Sequence, residues 1–200
     1  VAPRHEELRS LPEEIEQHID ALELSWKHGA TLIAGLRPAD LAAPTSCAGW
    51  NVRALLNHTL GEAQMMTEVN NGMTSSSDHG DLVGDGRDLT AAWDSIAQHN
   101  VTSWRASGLD GDRSYFYGTF PATACVIINL GEVLVHSWDL ARATNQPFEV
   151  DAELAGAVYG LYSAIPLDGQ RAHGTFGPEV VMPESAPIGD RLLGLLGRTP

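Results

Sequence analysis

Apolar residues recur at helical spacing through four long segments of the chain, whereas the alternation typical of strands is weak. Ser10 and Glu13 form a capping-box pattern before the first segment, and Asn51, Asp88 and Asp151 are good N-cap residues for later ones. The predicted helices span residues 11–36, 51–70, 89–106, 121–143 and 151–166, with a short last helix at 188–196. This pattern predicts an all-α four-helix bundle with one or two extra short helices, and bundles build ligand sites between facing helices.

Two connections between the predicted helices are long. Residues 71–86 are rich in glycine and serine, which predicts a flexible loop. Residues 108–120 place Tyr115, Phe116 and Tyr117 among glycines, which predicts an irregular or hairpin-like segment. Long loops in compact domains are often functional, so we expect both segments to line a substrate cleft.

The charge balance disfavours two classes of partner. The chain holds 12 basic and 26 acidic residues, which give a formal net charge of −14 at pH 7. Such a surface repels phosphate backbones and anionic lipids, so we expect no nucleic-acid partner and no membrane partner. Two cysteines suit a reducing compartment, and neither a signal peptide nor a transmembrane segment is predicted. We therefore expect a cytoplasmic protein, with residues 1–200 forming one domain.

Glu132 and His136 are the first candidates for chemistry. They lie four residues apart on the fourth predicted long helix, so both side chains project from one face. Imidazole and carboxylate groups are good zinc ligands, but two of them make only half a site, and catalytic zinc usually takes three protein ligands. His58 on the second helix is our candidate for the third, because an inward-facing histidine needs a polar partner. A purely structural hydrogen bond between Glu132 and His136 is the alternative.

Several other polar residues lie near these three in the sequence or share their chemistry. Asp139 could hold the His136 tautomer as an acceptor, or it could pair with Arg142 on the surface. Glu62, one turn after His58, is interpreted as a solvated carboxylate or as a group adjacent to the metal. We expect Cys47 and Cys125 to be packing residues, and the remaining histidines to be solvent-exposed: His5, His18, His28, His79, His99 and His173. No phosphate loop, dinucleotide fingerprint, nucleophile elbow or CxxC motif is present.

Three stretches of the sequence resemble one family. Residues 47–58, Cys-Ala-Gly-Trp-Asn-Val-Arg-Ala-Leu-Leu-Asn-His, are similar to the second helix of DinB-like metalloproteins, in the branch of the mycothiol-dependent maleylpyruvate isomerase N-terminal domain. Residues 132–141, Glu-Val-Leu-Val-His-Ser-Trp-Asp-Leu-Ala, resemble the second metal motif of that branch. The tail from Phe176 to Pro200 resembles the ending of a short, single-domain subgroup, so the likeness spans nearly the whole chain.

The resemblance implies a DinB-like four-helix bundle with an open metal site near one end. The ligand set of the family, His, Glu and His, falls on His58, Glu132 and His136. The implied metal is Zn²⁺, with Ni²⁺ or another divalent ion as the alternative, and several members of the family use a low-molecular-weight thiol such as mycothiol. The isomerase carries a further C-terminal domain for which this chain leaves no room, so we expect a related reaction rather than maleylpyruvate isomerisation itself.

The resemblance and the residues together leave three functions open. The first is a metal-dependent S-transferase or isomerase that activates a thiol as nucleophile toward a small electrophilic substrate. The second is a non-catalytic metal-binding or stress-response bundle. The third is a thiol-independent hydrolase or biosynthetic tailoring enzyme, in which the metal activates water. Apolar faces on the first and fifth helices are compatible with a homodimer.

Overall fold

The computed structural model describes the backbone of residues 7–200 and the side chains of residues 16–200. Its elements, in chain order, are α1 (Glu7–Ala34), a 3-10 turn (Pro38–Ala42), α2 (Val52–Asn70), α3 (Leu89–Ser107), β1 (Asp112–Tyr115), β2 (Gly118–Pro121), α4 (Ala122–Thr144), α5 (Ala152–Ser163), α6 (Asp168–Ala172) and α7 (Ile188–Leu195). The predicted all-α class is confirmed. The predicted start of the first helix at residue 11 is wrong, because the helix is already formed at Glu7. The Ser10 and Glu13 side chains of the predicted capping box, like His5, lie outside the described side chains.

The helix starts follow local side-chain chemistry. Oδ1 of Asn51 accepts a hydrogen bond from the Ala54 amide, and Oδ1 of Asp88 accepts one from the Ala91 amide. Asp151 caps α5 in the same way. These carboxylate and amide oxygens satisfy N–H groups that would otherwise lack a partner in the first turn. The three caps predicted from the sequence for α2, α3 and α5 are confirmed.

Helices α1 to α4 form the bundle. Helix α4 packs against α1, α2 and α5, and α3 packs against α1 and α2. Helix α4 is long and apolar enough to cross a membrane by length and composition, but 78% of that apolar window is buried inside the fold. A helix that is apolar nearly all round is typical of a protein core. Its central position explains its composition and places the half-buried Glu132 and His136 between neighbouring helices.

The segment between α3 and α4 is a short antiparallel hairpin. Strand β1 pairs with β2, from Asp112 opposite Pro121 to Tyr115 opposite Gly118. The hairpin-like alternative for residues 108–120 is therefore confirmed. Its turn carries Phe116 and Tyr117, both exposed, and the Phe116 amide donates to Oγ of Ser75. The hairpin thus contacts the loop that follows α2.

The C-terminal segment folds back onto the bundle. Helix α7 packs against α5, which in turn packs against α4. Gly197 ends the helical run with a φ of +83° and comes so close to Gly177 that a Cβ at position 197 would lie 2.6 Å from the Gly177 Cα. Only glycine fits both the left-handed conformation and this close approach. The turn sends residue 198 back toward α4.

Candidate metal centre

Three side chains from two helices converge between α2 and α4. Nε2 of His58 lies 3.0 Å from Oε2 of Glu132, and Nε2 of His136 lies 3.2 Å from the same oxygen. The imidazole rings of His58 and His136 are edge to face, with centroids 5.1 Å apart. His58 keeps 30% of its side chain exposed, whereas His136 keeps 11%. The structure therefore brings together all three residues singled out in the sequence, with access from the His58 side.

The second nitrogen of His136 is held by Asp139. Nδ1 of His136 donates to Oδ2 of Asp139 over 3.0 Å, and the Asp139 side chain is fully buried. Arg142 does not pair with Asp139; its guanidinium lies over the Trp138 ring, 5.5 Å from the centroid. A carboxylate on the far nitrogen fixes the orientation of a ligating imidazole, which leaves Nε2 free to bind.

Asp139 also binds three residues that the sequence analysis did not connect with the site. The Ser46 hydroxyl donates to Oδ1, and the Cys47 thiol donates to Oδ2 over 3.4 Å. Nη2 of Arg198 donates to Oδ2 over 2.9 Å. Cys47 packs against the core as expected, and its thiol also belongs to the surroundings of the site. Cys125 is buried in the core as expected.

A tight loop before α2 places Ser46 and Cys47. The Trp50 amide donates to the Cys47 carbonyl, and the Thr45 amide donates to the Trp50 carbonyl, each over 3.0 Å. The Trp50 ring lies against His58, with centroids 4.7 Å apart, and 6.1 Å from that of His136. This indole forms one wall of the site, a role that its position before the N-cap did not reveal.

Burial and hydrogen bonding act in opposite directions on the half-buried Glu132 and the buried Asp139. Burial opposes ionisation of Glu132, but the hydrogen bonds from His136 and His58 outweigh it and hold the pKa of Glu132 below its usual range. Burial likewise opposes ionisation of Asp139, yet the hydrogen bond from His136 and the charge of Arg198 keep its pKa low. Both groups are therefore carboxylates at neutral pH.

The charge of these carboxylates acts back on His136. Burial alone would lower the pKa of His136, but its hydrogen bonds to Asp139 and Glu132 raise it. Positive charge is therefore favoured near the His136 ring, next to Glu132. Within the described part of the chain, no Lys or Arg side chain pairs with Glu132; its partners are the imidazole nitrogens of His58 and His136.

Two groups of potential metal ligands share His136. One comprises His58, Glu132 and His136, and the other Cys47, His136 and Asp139; in each, the ligand atoms lie within 4.8 Å of one another. In the second group the Arg198 guanidinium already lies 2.9 Å from Asp139 and 3.7 Å from the Cys47 sulfur. A permanent cation therefore occupies the second group, which leaves the first as the better place for a metal ion.

The donor set of the first group fits a divalent metal ion. Two imidazoles and one carboxylate are a common three-ligand set for zinc. Ligand atoms arranged tetrahedrally about 2.1 Å from zinc lie about 3.4 Å from one another, close to the 3.0 and 3.2 Å found here around Oε2 of Glu132. The Nδ1 partner that such a histidine requires is also present, in Asp139.

A cavity of about 240 Å³ opens beside His58. It is lined by residues 57, 58, 61, 62 and 65 of α2 and by residues 76–80 of the following loop. The loop was expected to line a cleft, and it does; hairpin residues do not line this cavity. Burial, followed by the charge of Glu132, raises the pKa of Glu62 in the cavity wall to about 7.

Hydrogen bonds attach this loop to α2. Nε2 of His79 lies 3.2 Å from Oε1 of Glu68, and the other carboxylate oxygen accepts from the Ser76 amide. Oδ1 of Asn57 accepts from the Leu82 and Val83 amides. The His79 side chain is only 10% exposed, so the expectation that it is solvent-exposed is wrong. The loop wall of the cavity is fixed next to the candidate ligand His58.

The fold and the site together define a helical bundle with a His, Glu, His donor set between two of its helices. Residues 22–141 match the sequence model of the mycothiol maleylpyruvate isomerase N-terminal domain, and the chain belongs to this family. The resemblance found in the sequence is confirmed. The matched range includes His58, Glu132, His136 and Asp139 and ends before Arg198.

The chain is also similar to individual proteins. Two uncharacterized proteins from two strains of Mycobacterium tuberculosis are each 30% identical to this chain over 175 residues, which covers 85% of this chain and 91% of theirs. The crystal structure of the mycothiol-dependent maleylpyruvate isomerase has the same fold, with a TM-score of 0.59 over 75% of this chain and 68% of that chain. The sequence identity to that structure is 15%, so this likeness concerns the fold.

Proposed function

We propose that this chain is a divalent-metal-dependent enzyme that activates a low-molecular-weight thiol, such as mycothiol, as a nucleophile. The thiol would either be transferred to a small electrophilic substrate or promote the isomerisation of that substrate. His58, Glu132 and His136 would hold the metal, which we take to be zinc, with Ni²⁺ as the alternative. The observation that carries the proposal is the convergence of these three donor groups on one point, with His136 held from behind by Asp139. The family and the isomerase structure support a thiol as cosubstrate.

The chemistry follows from the surroundings of the donor set. A divalent cation held there would favour the thiolate form of a thiol over the thiol. Asp139 keeps the His136 ring in one orientation, and Trp50 closes the site on one side. Glu62 lines the adjoining cavity with a pKa of about 7, which suits a group that takes a proton from the incoming thiol at neutral pH.

The open cavity favours an enzyme over a purely structural metal site. Structural zinc sites are closed by four protein ligands, whereas catalytic sites keep a position for substrate or water. Here three ligands are at hand, His58 is partly exposed, and the cavity lies directly beside it. We propose that the chain acts in the cytoplasm as one unit with small-molecule partners, and we leave a homodimer as a matter for measurement.

Metal analysis tests the metal part of this proposal. Purified wild-type protein is expected to contain about one divalent ion per chain, and His58→Ala and His136→Ala are expected to lose it while circular dichroism shows the helical fold retained. The matched control is His99→Ala, which removes an exposed histidine of α3. Full metal content in both site variants would overturn the proposed ligand set.

Thermal unfolding with added thiols tests the second part. Mycothiol at about 100 times its Kd should stabilise the metal-loaded protein by about 2.7 kcal/mol and should have no such effect on protein stripped with a chelator. Stabilisation that is independent of metal, or no response of the loaded protein to mycothiol or other small thiols, would contradict a thiol-dependent reaction. Turnover of a substrate in thiol-free buffer would favour water as the nucleophile.

A further inference from the structure

We propose that Arg198, three residues after the end of α7, is a positioning residue of the metal centre: it fixes Asp139 and, through Asp139, the imidazole of His136. The inference rests on the metal site proposed above and adds a residue from outside the family's matched range. Nη2 of Arg198 donates to Oδ2 of Asp139 over 2.9 Å, and Nε lies 3.4 Å from Oδ1. One guanidinium therefore binds both oxygens of the carboxylate.

The contact is buried on both sides. The Asp139 side chain has no exposed surface, and that of Arg198 is 10% exposed. A buried carboxylate is strongly destabilising unless a charge of opposite sign accompanies it. When His136 serves as a neutral ligand, it offers Asp139 an N–H group but no charge. Arg198 then provides the positive charge that accompanies the buried carboxylate and holds it in place.

Asp139 connects several segments of the chain at this point. Its two oxygens receive the Ser46 hydroxyl, the Cys47 thiol, the His136 ring and the Arg198 guanidinium. A carboxylate with partners on every side has little freedom to turn. Any change at Arg198 is therefore transmitted to the partner that matters for metal binding, the His136 ring.

The backbone places Arg198 with little freedom. Its amide donates to the Leu193 carbonyl over 2.8 Å, and its Nη1 donates to the Leu196 carbonyl over 3.0 Å. The left-handed turn at Gly197 precedes it, packed against the backbone of Gly177. The guanidinium is thus held by its own helix end and points at Asp139 before any ligand binds.

A plain anchoring role for the tail is the competing explanation, and Arg191 provides the comparison. Nη2 of Arg191 donates to the Tyr159 hydroxyl over 3.0 Å, and its guanidinium lies 4.8 Å from the centroid of the Tyr159 ring. Arg191 therefore attaches α7 to α5 without contacting Asp139. If Arg198 only anchors the tail, replacing either arginine should affect the metal site equally.

The experiment measures zinc affinity by competition with a chromophoric chelator in wild type, Arg198→Met, Arg198→Lys and Arg191→Met. Arg198→Met is expected to lose zinc affinity by up to about 10-fold, less than the roughly 10- to 100-fold cost of removing a group bonded directly to a ligand, because Arg198 acts through Asp139. Arg198→Lys restores the charge and should recover part of the loss, whereas Arg191→Met should bind zinc like wild type. Urea unfolding of the metal-free proteins shows how far each variant is destabilised.

A second measurement, by NMR, observes the imidazole ring of His136 directly. The ¹⁵N chemical shifts of His136 in the zinc-loaded protein report whether Nδ1 keeps its proton and its acceptor. We expect the wild-type signal to be that of a hydrogen-bonded Nδ1–H, and the Arg198→Met signal to shift or broaden as the Asp139 contact loosens. If Arg198→Met does not fold, Arg198→Gln, which keeps a hydrogen-bond donor without the charge, takes its place with the same expected direction.

The outcomes separate this inference from the proposed function. If wild-type protein does not bind zinc, the proposed function fails. If wild type binds zinc, and the Arg198 variant binds it equally well with an unchanged His136 spectrum, Arg198 is not a positioning residue although the metal site stands. An equal loss of zinc affinity in Arg191→Met would likewise overturn the inference, because general loosening of the tail would explain both.

Discussion

His136 and Asp139, three residues apart on α4, are joined by a 3.0 Å hydrogen bond from Nδ1 to Oδ2. The bond points Nε2 of the same ring at Glu132, on the other side of the imidazole. One turn of a buried helix therefore holds both a candidate ligand and the group that orients it.

Replacing Asp139 with Asn should weaken zinc binding by about 10- to 100-fold, because the amide orients His136 less strongly than a carboxylate does. The same change leaves the Arg198 guanidinium buried without its counter-ion, so the free energy of unfolding should fall by about 3–5 kcal/mol. Chelator competition and urea unfolding measure the two effects. Asp94→Asn, on the exposed side of α3, is the matched control; unchanged zinc affinity in Asp139→Asn would contradict the assigned role.

Glu62→Gln should change how stability depends on pH in protein stripped of metal. The pKa of Glu62 in the folded protein is about 7, above the unfolded value, because burial and then Glu132 disfavour its charge. Protonated Glu62 therefore adds to the free energy of unfolding, and this contribution is complete below the pKa of about 4.3 that the residue has in the unfolded chain. It is lost as the pH rises through about 7.

The glutamine variant stays neutral, so it should exceed wild type in stability at about pH 8 by an amount on the order of 2–3 kcal/mol and by little at about pH 4. Urea unfolding across this range, with a chelator present, provides the measurement. Glu149→Gln removes the same charge from an exposed position and is the control. A stability difference that does not vary with pH would show that Glu62 is not a strained carboxyl in the cavity wall.

Gly29→Ala should destabilise the bundle even though alanine is the better helix former. A Cβ at this position of α1 would overlap Cζ2 of Trp93 and would lie 3.0 Å from Oγ of Ser137. Overpacking of this kind costs about 1–3 kcal/mol. Gly156→Ala in α5 is the control, because a Cβ there meets no atom within 4 Å, and it should stabilise by up to about 1 kcal/mol. If the unfolding temperatures of both variants shift in the same direction, the close crossing of α1 and α3 is contradicted.

Asn57→Ala should release the loop that forms the cavity wall. The Asn57 side chain accepts from the amides of Leu82 and Val83 and donates to Asp81. Hydrogen–deuterium exchange should show faster exchange at these two amides, while the amides in the middle of α2 keep their protection. Arg53→Ala removes only exposed ion pairs to the same loop and should have a smaller effect. Equal exchange in wild type and Asn57→Ala would mean that other contacts hold the loop.

The helices could be predicted because their signals are local. Apolar periodicity and the caps Asn51, Asp88 and Asp151 gave boundaries within a few residues of those found. The short helix α6 escaped prediction because five residues in a glycine- and proline-rich stretch carry no periodic signal. The hairpin was only one of two alternatives, since its four-residue strands are too short for alternation to distinguish them from irregular chain.

The site could be predicted only in part. Glu132 and His136 share one helix turn, so their spacing alone brought them together. His58 could be proposed as the third ligand because an inward-facing histidine needs a polar partner, and the family resemblance indicated the same residue among eight histidines. Arg198 could not be found in this way, because 59 residues separate it from Asp139 and the chain must fold back at Gly197 before they meet. The contacts of Cys47 and Trp50 with the site could not be predicted, because nothing local shows which face of the loop meets α4.

The central claim is that a metal ion binds among His58, Glu132 and His136 and not beside Arg198. Anomalous diffraction at the zinc edge from crystals of the zinc-loaded protein tests it most directly. We predict one peak about 2.0–2.2 Å from Nε2 of His58, Nε2 of His136 and a carboxylate oxygen of Glu132. A peak bonded instead to Cys47 and Asp139, or none in this region of a loaded crystal, would contradict the account.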